Sequence, residues 1–112
     1  MLRTRAIAIR AGSERDELVR EARRLGDVVT NMPWLDDAEF DEAADEMRAA
    51  RLEVDEIGRL AGSLEGAGEP ELRATTARLR QLASAARARR RRLRSMRRRL
   101  LAEAAPPEEL AA

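Results

Sequence analysis

Two sets of side chains in this chain have the type and spacing to do chemistry. The first is a ladder of carboxylates: Asp37, Asp41 and Asp45 recur every four residues, as do Glu42 and Glu46. On a helix this spacing puts the acids on one face, where their oxygens are the ligand type that a hard cation such as magnesium takes. Di-iron bundles add a Glu-x-x-His ligand, and the chain has no histidine. The second set is "RARRRRLRSMRRRL", residues 87–100, with nine arginines in fourteen positions. Guanidinium groups bind phosphate and carboxylate through planar, paired hydrogen bonds. The run is therefore either a nucleic-acid surface or the basic half of a structure whose acidic half lies elsewhere.

The residue inventory narrows these readings. All 22 basic residues are arginine, and there is no cysteine, histidine or tyrosine. The usual nucleophiles and the usual bases titrating near neutrality are thus missing. The expectation is a non-enzyme with no cofactor and no metal, its acid ladder a solvated face paired with arginine. Without cysteine there is neither a disulfide nor a thiolate metal site. The net charge of +1 produces no global field. No apolar run approaches the roughly 20 residues of a membrane span. The opening, "MLRTRAIAIRAGS", carries arginine and no acid, as transit peptides do, but its apolar stretch is too short for a secretory signal. The expected location is the cytoplasm, with no membrane partner.

The elements that would position these groups read as helices. The 112 residues suffice for one small domain, and an Ala-, Glu-, Leu- and Arg-rich composition is that of long helices. Ser13 with Asp16 resembles a capping box; Leu18, Ala22, Leu25, Val29 and Met32 follow at helical spacing, and Pro33 closes the segment. A second helix starts at Asp36, with Glu39 three residues on and Leu35 and Phe40 spaced as a hydrophobic staple. Its seam is Phe40, Ala43, Met47, Ala50, Val54, Ile57, Ala61 and Leu64, in alternating steps of three and four. "EGAGEPE" interrupts, offering Gly66 or Gly68 to end that helix and Pro70 to begin the next. The third seam is Leu72, Thr75, Leu79, Leu82, Ala86, Arg89, Leu93, Met96 and Leu100, and Pro106 and Pro107 end it.

Sustained heptads and a short loop predict an antiparallel coiled-coil hairpin. The expected fold is all-α: helices at about 36–65 and 71–104, and a shorter N-terminal helix at about 13–32. Residues 1–12 would be an arm, 13–104 a single helical domain and 105–112 a disordered tail. In this pairing Leu64 meets Leu72, Ile57 meets Leu79, Ala50 meets Ala86, and Phe40 meets Met96.

The hairpin gives the arginine run a purpose. Residues 36–65 carry eleven acids and three arginines, and residues 71–104 carry twelve arginines and two glutamates. Doubling back sets Glu39 near Arg99, Glu46 near Arg92 and Glu53 near Arg78, with Arg89 in the seam directed to solvent or Asp45. Acids near a helix N-terminus and cations near a C-terminus also suit the helix dipole. Arg87, Arg91, Arg94 and Arg98 remain on the outer face, and Arg90 and Arg97 lie on a flank facing Ala44, where the second helix has no acid.

These features point to a non-enzymatic protein–protein interaction module, an assembly, adaptor or small regulatory subunit. Trp34, Arg90, Arg97 and an uncovered face of the third helix would meet a partner, and covering that face predicts a homodimer. The alternative is a nucleic-acid-binding protein using Arg87, Arg91, Arg94 and Arg98. It lacks aromatic residues for base stacking.

Overall fold

The computed structural model describes residues Leu2–Glu103, so the tail expected at 105–112 lies outside the described residues. Three helices follow one another: α1 (Leu2–Thr30), α2 (Asp37–Gly62) and α3 (Glu69–Glu103), with no strand among the described residues. They form a rod with extents of 63 × 20 × 15 Å. The all-α, three-helix architecture matches the sequence reading.

Helix directions follow from cross-helix partners. Between α2 and α3 the numbers run oppositely: Arg78 binds Glu56, Arg89 binds Glu46 and Glu53, and Arg99 binds Glu42. The two helices are therefore antiparallel. Between α1 and α3 the numbers rise together, Arg90 meeting Glu14 and Glu17, and Arg94 and Arg97 meeting Glu21. These two are parallel, and they share the most extensive of the three interfaces.

The largest departure from expectation is α1. It begins at Leu2, so residues 2–12 are helix rather than an arm, and at 29 residues it outlasts the 26 of α2. Gly12 does not separate two segments, and Ser13 lies inside the helix rather than capping it. A glycine inside a helix costs about 1 kcal/mol relative to alanine, which packing outweighs here. Ala11 is fully buried and Ile7 packs on the core, continuing the line of Leu18, Leu25 and Met32 backwards in steps of seven and four. α3 is thus covered along its length by α1, and the face expected to need a second copy is occupied.

The α2 start is as read. Asp36 has extended backbone geometry, and its carboxylate accepts a hydrogen bond of 2.8 Å from the Glu39 backbone N–H. At the far end Ser63 caps the helix and donates from its hydroxyl to the Leu60 carbonyl. Of the two glycines considered for the turn, Gly66 is the one with positive φ, at 77°. Pro70 sits in the first turn of α3, where a missing backbone N–H costs nothing.

The core is narrow and rich in alanine. Ala43, Ala50 and Ile57 of α2 face Leu79, Leu82, Ala83, Ala86, Leu93, Met96 and Leu100 of α3 and the buried line of α1. Alanines at 11, 43, 50, 83 and 86 let the backbones approach closely, at the expense of apolar area. The seam assigned to α2 splits into two lines. Ala43, Ala50 and Ile57 point inward, whereas Phe40, Met47 and Val54 lie on the flank toward α1. Met47 and Val54 are half-buried, as are Leu64 and Leu72. Phe40 is 53% exposed and lines a cleft with Val29, Met32 and Leu35 rather than filling an α2–α3 layer. The physical cause is rotation: an α-helix drifts about 20° per heptad relative to a strict 3.5-residue repeat. A single seam therefore cannot stay centred on one neighbour when two helices compete for it.

Opposite glycine substitutions test this description. Gly12→Ala meets nothing within 4 Å and should raise stability by about 0.5–1 kcal/mol, as expected in a helix interior but not in a frayed arm. Gly66→Ala should lower it by about 1–2 kcal/mol, since an L side chain is strained at positive φ. Urea denaturation of both variants reads the two signs.

Candidate functional site

The charged groups are organised by one buried carboxylate. Glu21 is 1% exposed on α1, three residues after Leu18 and four before Leu25. Its Oε1 accepts from Arg24 at 2.9 Å and from Arg94 at 3.3 Å, and Arg97 Nε stands 3.6 Å from Oε2. One turn lower, Arg90 lies between Glu14 at 3.7 Å and Glu17 at 3.6 Å. Burying an unpaired carboxylate costs several kcal/mol, so Glu21 is tolerated only because arginines of its own helix and of α3 converge on it.

On the other side of α3, Arg89 occupies the seam as expected, but neither of its partners is Asp45. Its Nη1 donates to Glu46 at 2.7 Å and its Nε to Glu53 at 3.0 Å, with 18% of the side chain exposed. Burial alone would lower the basicity of this guanidinium. The hydrogen bonds to Glu53 and Glu46 and their charges outweigh that effect and hold it above the ordinary guanidinium range. By linkage, this contribution is fully present below the unfolded value and lost only in strong alkali. Around Arg89, Arg99 pairs with Glu42 rather than Glu39, and Arg78 pairs with Glu56 rather than Glu53. Arg92 lies 4.0 Å from Glu46, the pairing expected from sequence.

The ladder of acids therefore has a structural use. Asp36 caps α2, Glu42 and Glu46 hold arginines of α3, and Asp45 pairs with Arg48. Asp37 lies in the first turn and Asp41 is exposed. Among the described residues no group of three potential ligands comes together as a metal site would require.

Three of the proposed partner contacts are engaged inside the bundle. Arg90 and Arg97 are only 22% and 23% exposed, and they face acids of α1 rather than the acid-free flank of α2. The reason is that α1 lies parallel to α3 and presents Glu14, Glu17 and Glu21 to this flank. Trp34 is half-buried against the core, with its indole N–H buried and without an acceptor. Of the outer arginines, Arg87, Arg91 and Arg98 are exposed, while Arg94 turns to Glu21. Glu14, Glu17 and Glu21 were absent from the sequence reading, yet they left a signal. Ile7, Ala11, Glu14, Leu18, Glu21 and Leu25 step by four and three, so two acids stand at core positions of α1.

Two surfaces remain available. An open groove of about 320 Å³ runs between α1 and α2, walled by Val19, Ala22, Met47, Ala50 and Val54, with Arg23 and Arg51 on its lips. Neither lip arginine has an ion pair among the described residues. The outer edge of α3 carries Arg87, Arg91 and Arg98 over a rise of about 17 Å. No helix of the described residues is long and apolar enough to cross a membrane. No protein-family model, curated protein or solved structure matches the chain.

The weight placed on Glu21 has a direct check. Glu21→Ala removes the shared acceptor of Arg24, Arg94 and Arg97, which solvent reaches in part, and should cost about 1–3 kcal/mol. Asp16→Ala, removing an exposed acid whose pair with Arg15 is 3.5 Å long, should cost under about 0.5 kcal/mol. Thermal or urea denaturation compares the two.

Proposed function

We propose that this chain is a non-enzymatic protein–protein interaction module, an assembly, adaptor or small regulatory subunit acting in the cytoplasm. One observation carries the reading: the α1–α2 groove is apolar at its base and positive at both lips, while Arg89, Arg90, Arg94 and Arg97 are held by glutamates inside the bundle. A groove of this kind fits an amphipathic helix, whose apolar stripe would cover Val19, Met47 and Val54 while flanking acids reach Arg23 and Arg51. Seating a fourth helix there would complete a four-helix bundle. Self-association, expected from the sequence through an uncovered face of α3, could use this groove instead, since α1 lies on α3. A symmetric pair in which the two grooves face each other would bring the arginine lips of both copies together, so we favour an acidic helix from another protein as the occupant. The lack of histidine, cysteine, lysine and tyrosine supports a binding role over catalysis.

A second reading, nucleic-acid binding, draws support from Arg87, Arg91 and Arg98. They are exposed, have no ion pair among the described residues, and lie on a helix without an acid between Glu71 and Glu103.

The readings separate in one experiment. Fluorescence anisotropy would follow the full chain binding either a synthetic helix with a leucine stripe flanked by glutamates or a labelled oligonucleotide. For the module, the peptide binds and Val54→Glu weakens it at least about tenfold, equivalent to 1.4 kcal/mol; changing Arg87, Arg91 and Arg98 to Gln has little effect. Nucleic-acid binding reverses this pattern and falls steeply with salt. Light scattering on the same sample, giving a monomer or dimer mass, checks self-association. Peptide binding that is indifferent to Val54→Glu would sink the groove reading.

A further inference from the structure

The interface between α1 and α3 changes character along its length. In its middle and upper part three α3 arginines meet acids of α1: Arg90 with Glu14 and Glu17, and Arg94 and Arg97 with Glu21. At its lower end the parallel arrangement brings the first turn of α1 against the first three turns of α3, and α1 has no acid before Glu14. A cleft of about 400 Å³ opens there, with Arg3 and Thr4 on one wall and Arg73, Thr76 and Arg80 on the other. The carboxylate on its rim is Glu69, which stands 3.7 Å from Arg73 with both side chains at least 80% exposed. Arg3 and Arg80 have no ion pair among the described residues. The Thr76 hydroxyl is buried and lacks a hydrogen-bond partner.

Three guanidinium groups from two helices around one cleft repel each other unless an anion lies between them. Each offers a fork of N–H donors that matches the oxygens of a phosphoryl group, and a threonine hydroxyl adds a neutral donor. We propose that this cleft is a phosphate-binding site, with Arg3, Arg73 and Arg80 as its cationic clamp and Thr76 as a hydroxyl donor. It is independent of the α1–α2 groove, which lies on a different helix pair. The ligand chemistry is an anionic phosphoryl group, carried by a small phosphorylated molecule (charge −2 or more) or by a nucleic-acid backbone, where each phosphodiester carries one negative charge.

Isothermal titration of the full chain with inorganic pyrophosphate, inorganic phosphate and a single-stranded oligonucleotide tests the site. Saturable binding of pyrophosphate is expected, weakened at least about tenfold (1.4 kcal/mol) by the pair Arg73→Gln and Arg80→Gln. The pair Arg91→Gln and Arg98→Gln, on the same helix and outside the cleft, should change it less than about twofold. Helical circular dichroism of both variants confirms that they fold. Pyrophosphate or phosphate binding with an oligonucleotide that does not compete identifies a small phosphorylated ligand. Competition by the oligonucleotide, lost with Arg73 and Arg80, identifies a backbone phosphate. No saturable binding of any probe, or equal loss in both variant pairs, overturns the proposal.

Discussion

α3 carries twelve arginines, and such a helix can lie between two others only if they present carboxylates to it. α1 supplies Glu14, Glu17 and Glu21, and α2 supplies Glu42, Glu46, Glu53 and Glu56. The most consequential of these is Glu21, buried and shared among Arg24, Arg94 and Arg97. A buried ion pair is a weak source of net stability, because desolvation offsets most of its Coulomb energy. Its stronger effect is to penalise alternatives. A packing that carries Glu21 away from the arginine run at 87–99 leaves a carboxylate in the core without a counter-charge. The apolar layer is less discriminating: alanine and leucine repeating every seven residues fit several registers nearly equally well. The charges choose among them.

This division of labour explains the character of the surface. Arginines directed inward pair with acids of α1 and α2, whereas those on the outer edge of α3 and on the lips of the α1–α2 groove have no ion pair among the described residues, and around the lower cleft Glu69 reaches Arg73 but not Arg3 or Arg80. A neutral chain thereby displays local positive surfaces, each set in a different chemical context. The groove adds an apolar base, the cleft adds hydroxyls, and the outer edge adds neither. The partners proposed for them differ accordingly: an acidic amphipathic helix, a phosphoryl group and an extended polyanion, respectively.

Much of the fold was legible in the chain. The cap at Asp36, the stop at Pro33 and the alternating three-and-four spacing of α2 and α3 act over a few residues, so local chemistry decides them; a glycine turn was legible too, but its centre was expected at Gly68 and the positive-φ glycine is Gly66. The opposite charges of residues 36–65 and 71–104 likewise required antiparallel neighbours, since acids and arginines far apart in the chain are brought level only by doubling back. Particular partners were less legible. Glu39 and Glu53 were read as partners of Arg99 and Arg78, where Glu42 and Glu56 serve instead. A shift of three residues leaves a helix face nearly unchanged, and long side chains span it easily.

Sequence by itself determined that there are three helices, where most of their ends fall, and that α2 and α3 run in opposite directions, because caps, prolines, glycines and charge blocks act locally or along a single hairpin. Tertiary structure alone decided that α1 continues through Gly12, that it lies parallel to α3, and that Glu21 is a core residue. The physical reason is that a glutamate at a core position and a glycine within a helix are each unfavourable when judged locally. They become acceptable only when the arginines of another helix neutralise the one and packing at Ala11 and Ile7 outweighs the other.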